Sequence, residues 1–135
     1  MANETQTEKK QFRYRGKTID ELKSLDIREF AKFLKSKPRR FVLKHFQEIE
    51  NFVHRAPENI SKKKSVKTHK RDIVIVPSMI GMKIHIHQGR NYIPAEITEE
   101  MLGHKLGEFA PTRSKIKHGK AGIGATKGSK AQSKK

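Results

Sequence analysis

His85 and His87 are the residues of this 135-residue chain that come nearest to a metal-binding pair. Two positions apart on a strand, both imidazoles lie on one face, where they could supply two ligands. No third ligand accompanies them: the chain has no cysteine, and no carboxylate pair stands nearby at a recognisable spacing. The pair therefore reads as a nucleic-acid or protein contact, and no metal is expected. Glu100 and His104 have the i, i+4 spacing of an acid–base couple, but at a helix end this is more simply a local polar contact. Gly122-Ile123-Gly124-Ala125-Thr126-Lys127 begins like a dinucleotide-binding loop, yet lacks its last glycine and a preceding strand. Gly16-Lys17-Thr18 has the ending of a phosphate loop, but Gln11 occupies the place of its first glycine, and Gly119-Lys120 is followed by Ala121 instead of a hydroxyl. Nothing here resembles an active site, so neither enzyme activity, cofactor nor small-molecule substrate is expected.

What the chain has in quantity is positive charge. Its 31 Lys and Arg against 14 Asp and Glu leave a formal net charge of +17, and only 33% of its residues are hydrophobic. One modest domain with a small core follows, and its self-repulsion calls for a polyanion. The chain contains no apolar run of the ~18 residues a membrane span needs, and the start Met1-Ala2-Asn3-Glu4-Thr5 lacks a hydrophobic signal centre. Nucleic acid, not membrane, is the expected partner, and the cytoplasm the expected location; the absence of cysteine fits a reducing compartment.

The charge is unevenly spread. Between Ser61 and Arg71 stand Lys62, Lys63, Lys64, Lys67, Lys70 and Arg71 with no acid, a stretch expected to be an extended linker that also binds a polyanion. Residues 72–108 carry three Lys or Arg and five Asp or Glu, a net of −2, whereas residues 109–135 carry eight Lys or Arg and no acid. The organisation is then a basic arm (1–17), a helical region (18–60), the basic linker (61–71), an α+β core (72–108) and a basic Gly/Lys-rich tail (109–135). In the arm, Phe12, Arg13, Tyr14 and Arg15 alternate aromatics with cations, suiting either a stacking and phosphate-binding role or a disordered leader. Gly119, Gly122, Gly124 and Gly128 would let the tail lie close to an RNA backbone.

The elements that must position these charges follow from pattern. Thr18-Ile19-Asp20-Glu21 and Asp26-Ile27-Arg28-Glu29 predict capped starts of two short helices, about 19–24 and 27–35. Ser36-Lys37-Pro38 breaks the run. Val42, Phe46, Ile49, Val53 and Ala56 then share one face of a single amphipathic helix closed by Pro57. Its other face carries Arg39, Arg40, Lys44, Glu48 and Glu50; the mixed signs point to packing within the domain or against a protein neighbour. Ile73-Val74-Ile75-Val76 reads as a strand covered on both faces. Met82, Ile84 and Ile86, a turn at Gln88-Gly89-Arg90, then Ile93, Ala95 and Ile97 predict a hairpin whose last strand is an edge at Pro94. Thr98, Glu99 and Glu100 predict a helix start, Gly107 its end, and Met101, Leu102 and Leu106 its buried stripe. The expected class is α+β: N-terminal helices, a small three-stranded antiparallel or mixed sheet, a short C-terminal helix and an extended basic tail.

Gln88-Gly89-Arg90, Ile97, Leu102-Gly103, Leu106-Gly107-Glu108-Phe109 and Thr112, at their fixed spacing, resemble the signature of the small-subunit ribosomal protein S-nineteen family. Lys117-His118-Gly119-Lys120-Ala121-Gly122-Ile123-Gly124-Ala125-Thr126 resembles its archaeal and eukaryotic branch, whose eukaryotic member is called S-fifteen; together the likeness covers roughly residues 72–126. The resemblance implies a structural constituent of the head of the small ribosomal subunit that binds its rRNA, pairs with ribosomal protein S-thirteen and sends its tail toward the tRNA decoding region. It implies Arg90, His104, Lys105, Thr112, Arg113, Lys115, Lys117, His118 and Lys120 as rRNA contacts, beside the linker cations named above. Lys127, Lys130, Lys134 and Lys135 are the tail residues expected near tRNA. The charge alone allows an architectural DNA-binding protein instead. Removing residues 109–135 is expected to leave the folded middle intact.

Overall fold

Thr18 opens the first helix as its cap predicts: it is extended, and its hydroxyl accepts from the Glu21 amide at 3.5 Å, starting α1 (Ile19–Lys23). The Glu21 carboxylate, expected to reach back into the cap, lies 3.6 Å from Lys17 Nζ. α2 (Ile27–Phe30) follows and runs into a 3-10 turn, Ala31–Phe33; Asp26 makes no side-chain cap bond, correcting the second expected cap. This computed structural model describes residues 11–114 and Gly128. The tail positions Lys115, Lys117, His118, Lys120, Lys127, Lys130, Lys134 and Lys135 lie outside the described residues.

The single helix expected between Pro38 and Pro57 is two. α3 (Ser36–Lys44) places Pro38 in its first turn, where a missing N–H costs nothing, and α4 runs Phe46–Ser61. His45, at φ −115° and ψ 26°, leaves helical geometry between them while its amide still donates to the Phe41 carbonyl at 2.9 Å. Pro57 does not close the second helix but sits inside it, on the solvent side, where a carbonyl deprived of its donor can be hydrated. The true end is at Lys62, after which Lys63 takes φ +54° and the Lys64 amide returns to the Asn59 carbonyl at 2.8 Å.

The three-stranded sheet has the order β1-β2-β3, with β1 (Val66–Thr68) parallel to β2 (Lys83–His87) and β2 antiparallel to β3 (Tyr92–Glu96). Its first strand lies in the charge run read as a linker, because Val66 and Thr68 alternate with Lys67 and bury against the helical layer. The hairpin matches its prediction: Ile84 faces Ala95, Ile86 faces Ile93, and Gly89 takes φ +105° in the turn. The Gln88 amide donates to Asn91 and the Ile97 amide to Met82. Bonded pairs alternate along an antiparallel ladder, so the His85–Pro94 pair is a non-bonded one, and the missing N–H of Pro94 falls on the open edge of β3.

Ile73–Val76, expected as a strand, is fully buried but stays outside the sheet. Its backbone pairs instead with residues 103–107: the Ile75 amide donates to the His104 carbonyl at 2.8 Å, the Gly103 amide to Ile75 at 3.1 Å and the Leu106 amide to Ile73 at 3.0 Å. Those groups are free because the helix expected after Thr98 does not form. Two 3-10 turns, Glu99–Met101 and Leu106–Phe109, take its place, separated by Gly103 at φ +78°, and Thr98 makes no side-chain cap bond. Leu102 and Leu106 are nonetheless buried. One continuous core joins Leu22, Phe30, Val42 and Ile49 of the helices to Ile84, Ile86 and Ile97 of the hairpin. Among the described residues no helix is long and apolar enough to cross a membrane.

The arm also belongs to the body from Phe12 onward. Arg15 and Gly16, both at positive φ, form a two-residue turn closed by Tyr14 and Lys17, whose amides each donate to the other's carbonyl at 2.9 and 3.1 Å. Tyr14 lies 6.0 Å from the Phe30 ring, and Tyr14 and Phe12 both pack partly against the core, so of the two readings the disordered leader does not hold from Phe12 onward; Arg13 and Arg15 are exposed.

Candidate nucleic-acid interface

The cations meet solvent on two adjoining surfaces, and Arg71 is the residue that holds them together. Its guanidinium donates from Nη1 to the His87 carbonyl at 2.6 Å and from Nη2 to the carbonyls of Gly107, at 2.9 Å, and Ala110. Three carbonyls from three places in the chain thus share one fork of donors, a task that suits guanidinium and not ammonium. The Gly107 amide returns a bond to the Arg71 carbonyl at 2.8 Å. A Cβ on Gly107 would stand 2.9 Å from that oxygen, so only glycine allows the approach. Arg71, expected to contact RNA, is a positioning residue with these donors turned inward.

The first surface is what this brace builds. With the end of β2 tied to Ala110, the hairpin turn and the chain beyond Ala110 come together, and Gln88, Arg90, Pro111, Thr112, Arg113 and Ser114 line one cleft. Arg90, Thr112 and Arg113 are all exposed, and no acid lines the cleft. Two guanidinium groups beside hydroxyls offer the forked donors that phosphate oxygens accept.

The second surface is the open face of the sheet. Lys67, His85 and Pro94 lie in one row across the three strands, with Lys83 and Glu96 in the next. His69, His87 and Tyr92 form a cluster at one end. The Tyr92 hydroxyl lies 2.6 Å from His69 Nε2, the two histidine rings are 4.2 Å apart, and Lys67 Nζ stands 5.3 Å from the Tyr92 ring. His87 Nδ1 accepts from the Gly89 amide at 3.1 Å, which fixes its ring. Partly exposed rings beside cations suit unstacked bases and their phosphates. His69 and Tyr92 were not singled out from the sequence; the alternation Val66, Thr68 against Lys67, His69 was the signal, masked by the surrounding lysines.

The remaining cations differ in how free they are. Lys63 and Lys64 are exposed beyond α4, while Lys62 Nζ lies 4.0 Å from Glu58. Lys70 is engaged: its Nζ meets Glu48 at 2.9 Å, and this hydrogen bond and charge hold the Glu48 carboxyl below its usual range. Lys105 is half-buried, its Nζ 5.2 Å from the Phe41 ring. Among the described residues no group of three or more His, Asp or Glu could hold a metal ion.

His104 pairs with Glu108, not with Glu100: its Nδ1 lies 2.6 Å from one carboxylate oxygen, and the other accepts from the Lys105 amide at 3.3 Å. Burial pushes the Glu108 carboxyl up, but these hydrogen bonds outweigh it and leave its pKa below the ordinary 4.5. A depressed folded pKa adds stability above the unfolded value, lost as pH falls through the folded one. His104→Ala is therefore expected to cost little stability at pH 7 at this half-exposed pair, under about 1 kcal/mol, and to move the Glu108 carboxyl titration, followed by NMR, back toward 4.5. An unmoved titration would dismiss the contact.

The match to known proteins is extensive. The family model described as Ribosomal protein S19 covers residues 34–118. The chain is 45% identical over 122 residues to the small ribosomal subunit protein uS19 of Methanocella arvoryzae, an alignment that spans 90% of this chain and 86% of that protein.

Proposed function

The chain belongs to the ribosomal protein S19 family, a structural component of the small ribosomal subunit and not an enzyme, and from that premise we propose that it binds small-subunit rRNA in the head of the subunit. The observation that carries this reading is the cleft of Arg90, Thr112 and Arg113, three residues in or beside the family signature that Arg71 brings to one place. In this reading the cleft and the sheet face grip RNA, Lys62, Lys63, Lys64, Lys67 and Lys70 add phosphate contacts, and the chain beyond Ser114 extends toward tRNA near the decoding region. Ribosomal protein S-thirteen is the protein neighbour and the cytoplasm the location.

Sedimentation of native extract through a sucrose gradient tests the assignment. The protein is expected to travel with small subunits and to stay with them through a high-salt wash. Migration with chromatin, or as free protein, would restore the architectural DNA-binding alternative.

The tail is tested by truncation. Removing residues 109–135 would take away the packed Phe109 and the buried Ala110, whose carbonyl Arg71 holds, and so would disturb the core along with the tail. Removing residues 115–135 is the cleaner experiment. Melting is expected to change little, while rRNA binding weakens and its log–log salt slope falls by roughly 0.7 to 0.9 for each phosphate the tail had neutralised. A slope equal to that of the full chain would end the RNA role given to the tail.

A further inference from the structure

The break at His45 separates charges that a single helix would have mixed. From Lys35 to Lys44 the chain has Lys35, Lys37, Arg39, Arg40 and Lys44 and no acid, while Glu48 and Glu50 belong to α4, and Glu48 is paired with Lys70. Lys37, Arg40, Phe41, Lys44 and His45 fall at i, i+3, i+4, i+7 and i+8, one stripe of α3. Lys105, from the signature segment, completes a groove with this stripe, and its Nζ lies 5.2 Å from the Phe41 ring. Phe41 and His45 stack at 4.6 Å with 25° between their planes, both partly exposed in the groove. No acidic residue lines it.

We infer that the groove between α3 and Lys105 is a further RNA-binding site, separate from the cleft at Arg90, with Lys37, Arg40, Lys44 and Lys105 on phosphates and the Phe41–His45 pair receiving a base. Four cations in a groove whose lining holds no acid favour a polyanion, although Lys105 also acts on the Glu108 carboxylate, and a half-exposed stacked pair among them favours one that carries rings. An acidic protein would match the charge but make no use of the exposed part of the stacked pair, whose Phe41 otherwise packs against the core. The inference rests on the reading that this chain binds rRNA.

The test uses the full chain and a small-subunit rRNA transcript, titrated over a range of salt. The triple variant Lys37→Gln, Arg40→Gln, Lys44→Gln is compared with Arg13→Gln, Lys23→Gln, Lys32→Gln, which removes the same charge from exposed positions elsewhere. The groove variant is expected to bind about tenfold or more weakly than the control variant, with a slope flatter by roughly 0.7 to 0.9 for each phosphate no longer neutralised. Phe41→Leu, with folding checked by circular dichroism, is expected to weaken binding about fivefold or more while leaving the slope unchanged. Equal reductions in the two triple variants would assign the effect to net charge and overturn the site. Unchanged RNA affinity with weakened retention on small subunits would overturn it in favour of an acidic protein neighbour. Failure of the parent chain to bind the transcript would overturn the underlying rRNA reading itself, an outcome distinct from failure of the groove.

Discussion

Arg71→Met is expected to lower unfolding stability by about 3 kcal/mol, the largest single loss in the molecule from a residue on its cationic side. Charge-assisted hydrogen bonds contribute roughly 1.5 to 3 kcal/mol each, and the three made by this guanidinium are discounted here for its partial exposure. Methionine fills much of the space but leaves the carbonyls of His87 and Ala110 without the guanidinium and that of Gly107 with only the Ala110 amide at 3.5 Å. For a body of this size the melting temperature should fall by about 12 to 20 °C. Arg71→Lys should recover less than half, since one ammonium cannot reach three divergent carbonyls. Because the brace shapes the cleft, RNA binding at Arg90 and Arg113 should fall under conditions where the variant is still folded. A loss below about 1 kcal/mol by chemical denaturation would return Arg71 to the surface role first expected of it.

Gly103→Ala is expected to cost about 2 to 4 kcal/mol, from two separable causes. Gly103 sits at φ +78°, where a side chain is strained, and an added Cβ would stand 2.7 Å from the Tyr14 hydroxyl oxygen and 3.0 Å from a Leu34 methyl. The backbone component cannot be relieved locally, because the Gly103 amide is bonded to the Ile75 carbonyl at 3.1 Å. The steric component can: Tyr14→Phe removes the clashing oxygen and should restore about 1 kcal/mol to the double variant. A double variant no more stable than Gly103→Ala alone would show that the backbone conformation is the whole effect. Either way, this glycine holds the arm turn, the 3-10 turns and the Ile73–Val76 segment in register.

The family signature thus has a physical reading. Gly103 and Gly107 are required by a left-handed backbone and by a 2.9 Å approach; Leu102 and Leu106 fill the core; Glu108 receives His104 and the Lys105 amide; Gly89 turns the hairpin. Most of the motif positions a sequence comparison detects therefore hold the fold, while Arg90, Thr112 and their neighbour Arg113 are left exposed to solvent.

The amino-acid sequence by itself determined the family, through the spacing of its signature, and the elements whose signals are local. The hairpin with its glycine turn, the edge at Pro94 and the Thr18 cap depend on neighbours within a few positions, so alternation and capping chemistry suffice to read them. The three-dimensional fold decided everything that depended on who pairs with whom across the chain. Val66–Thr68 became a strand because β2 offered it an edge and the core took its two inward side chains, although lysines surround it. Ile73–Val76 was excluded from the sheet because residues 103–107, freed from helix by Gly103, satisfied its backbone. Arg71 looked like its cationic neighbours until three distant carbonyls converged on it, and the cations of α3 looked balanced until a break at one histidine moved the acids into another helix. Periodicity along a chain records what each segment must bury; it carries no record of which distant backbone groups will be left needing a partner.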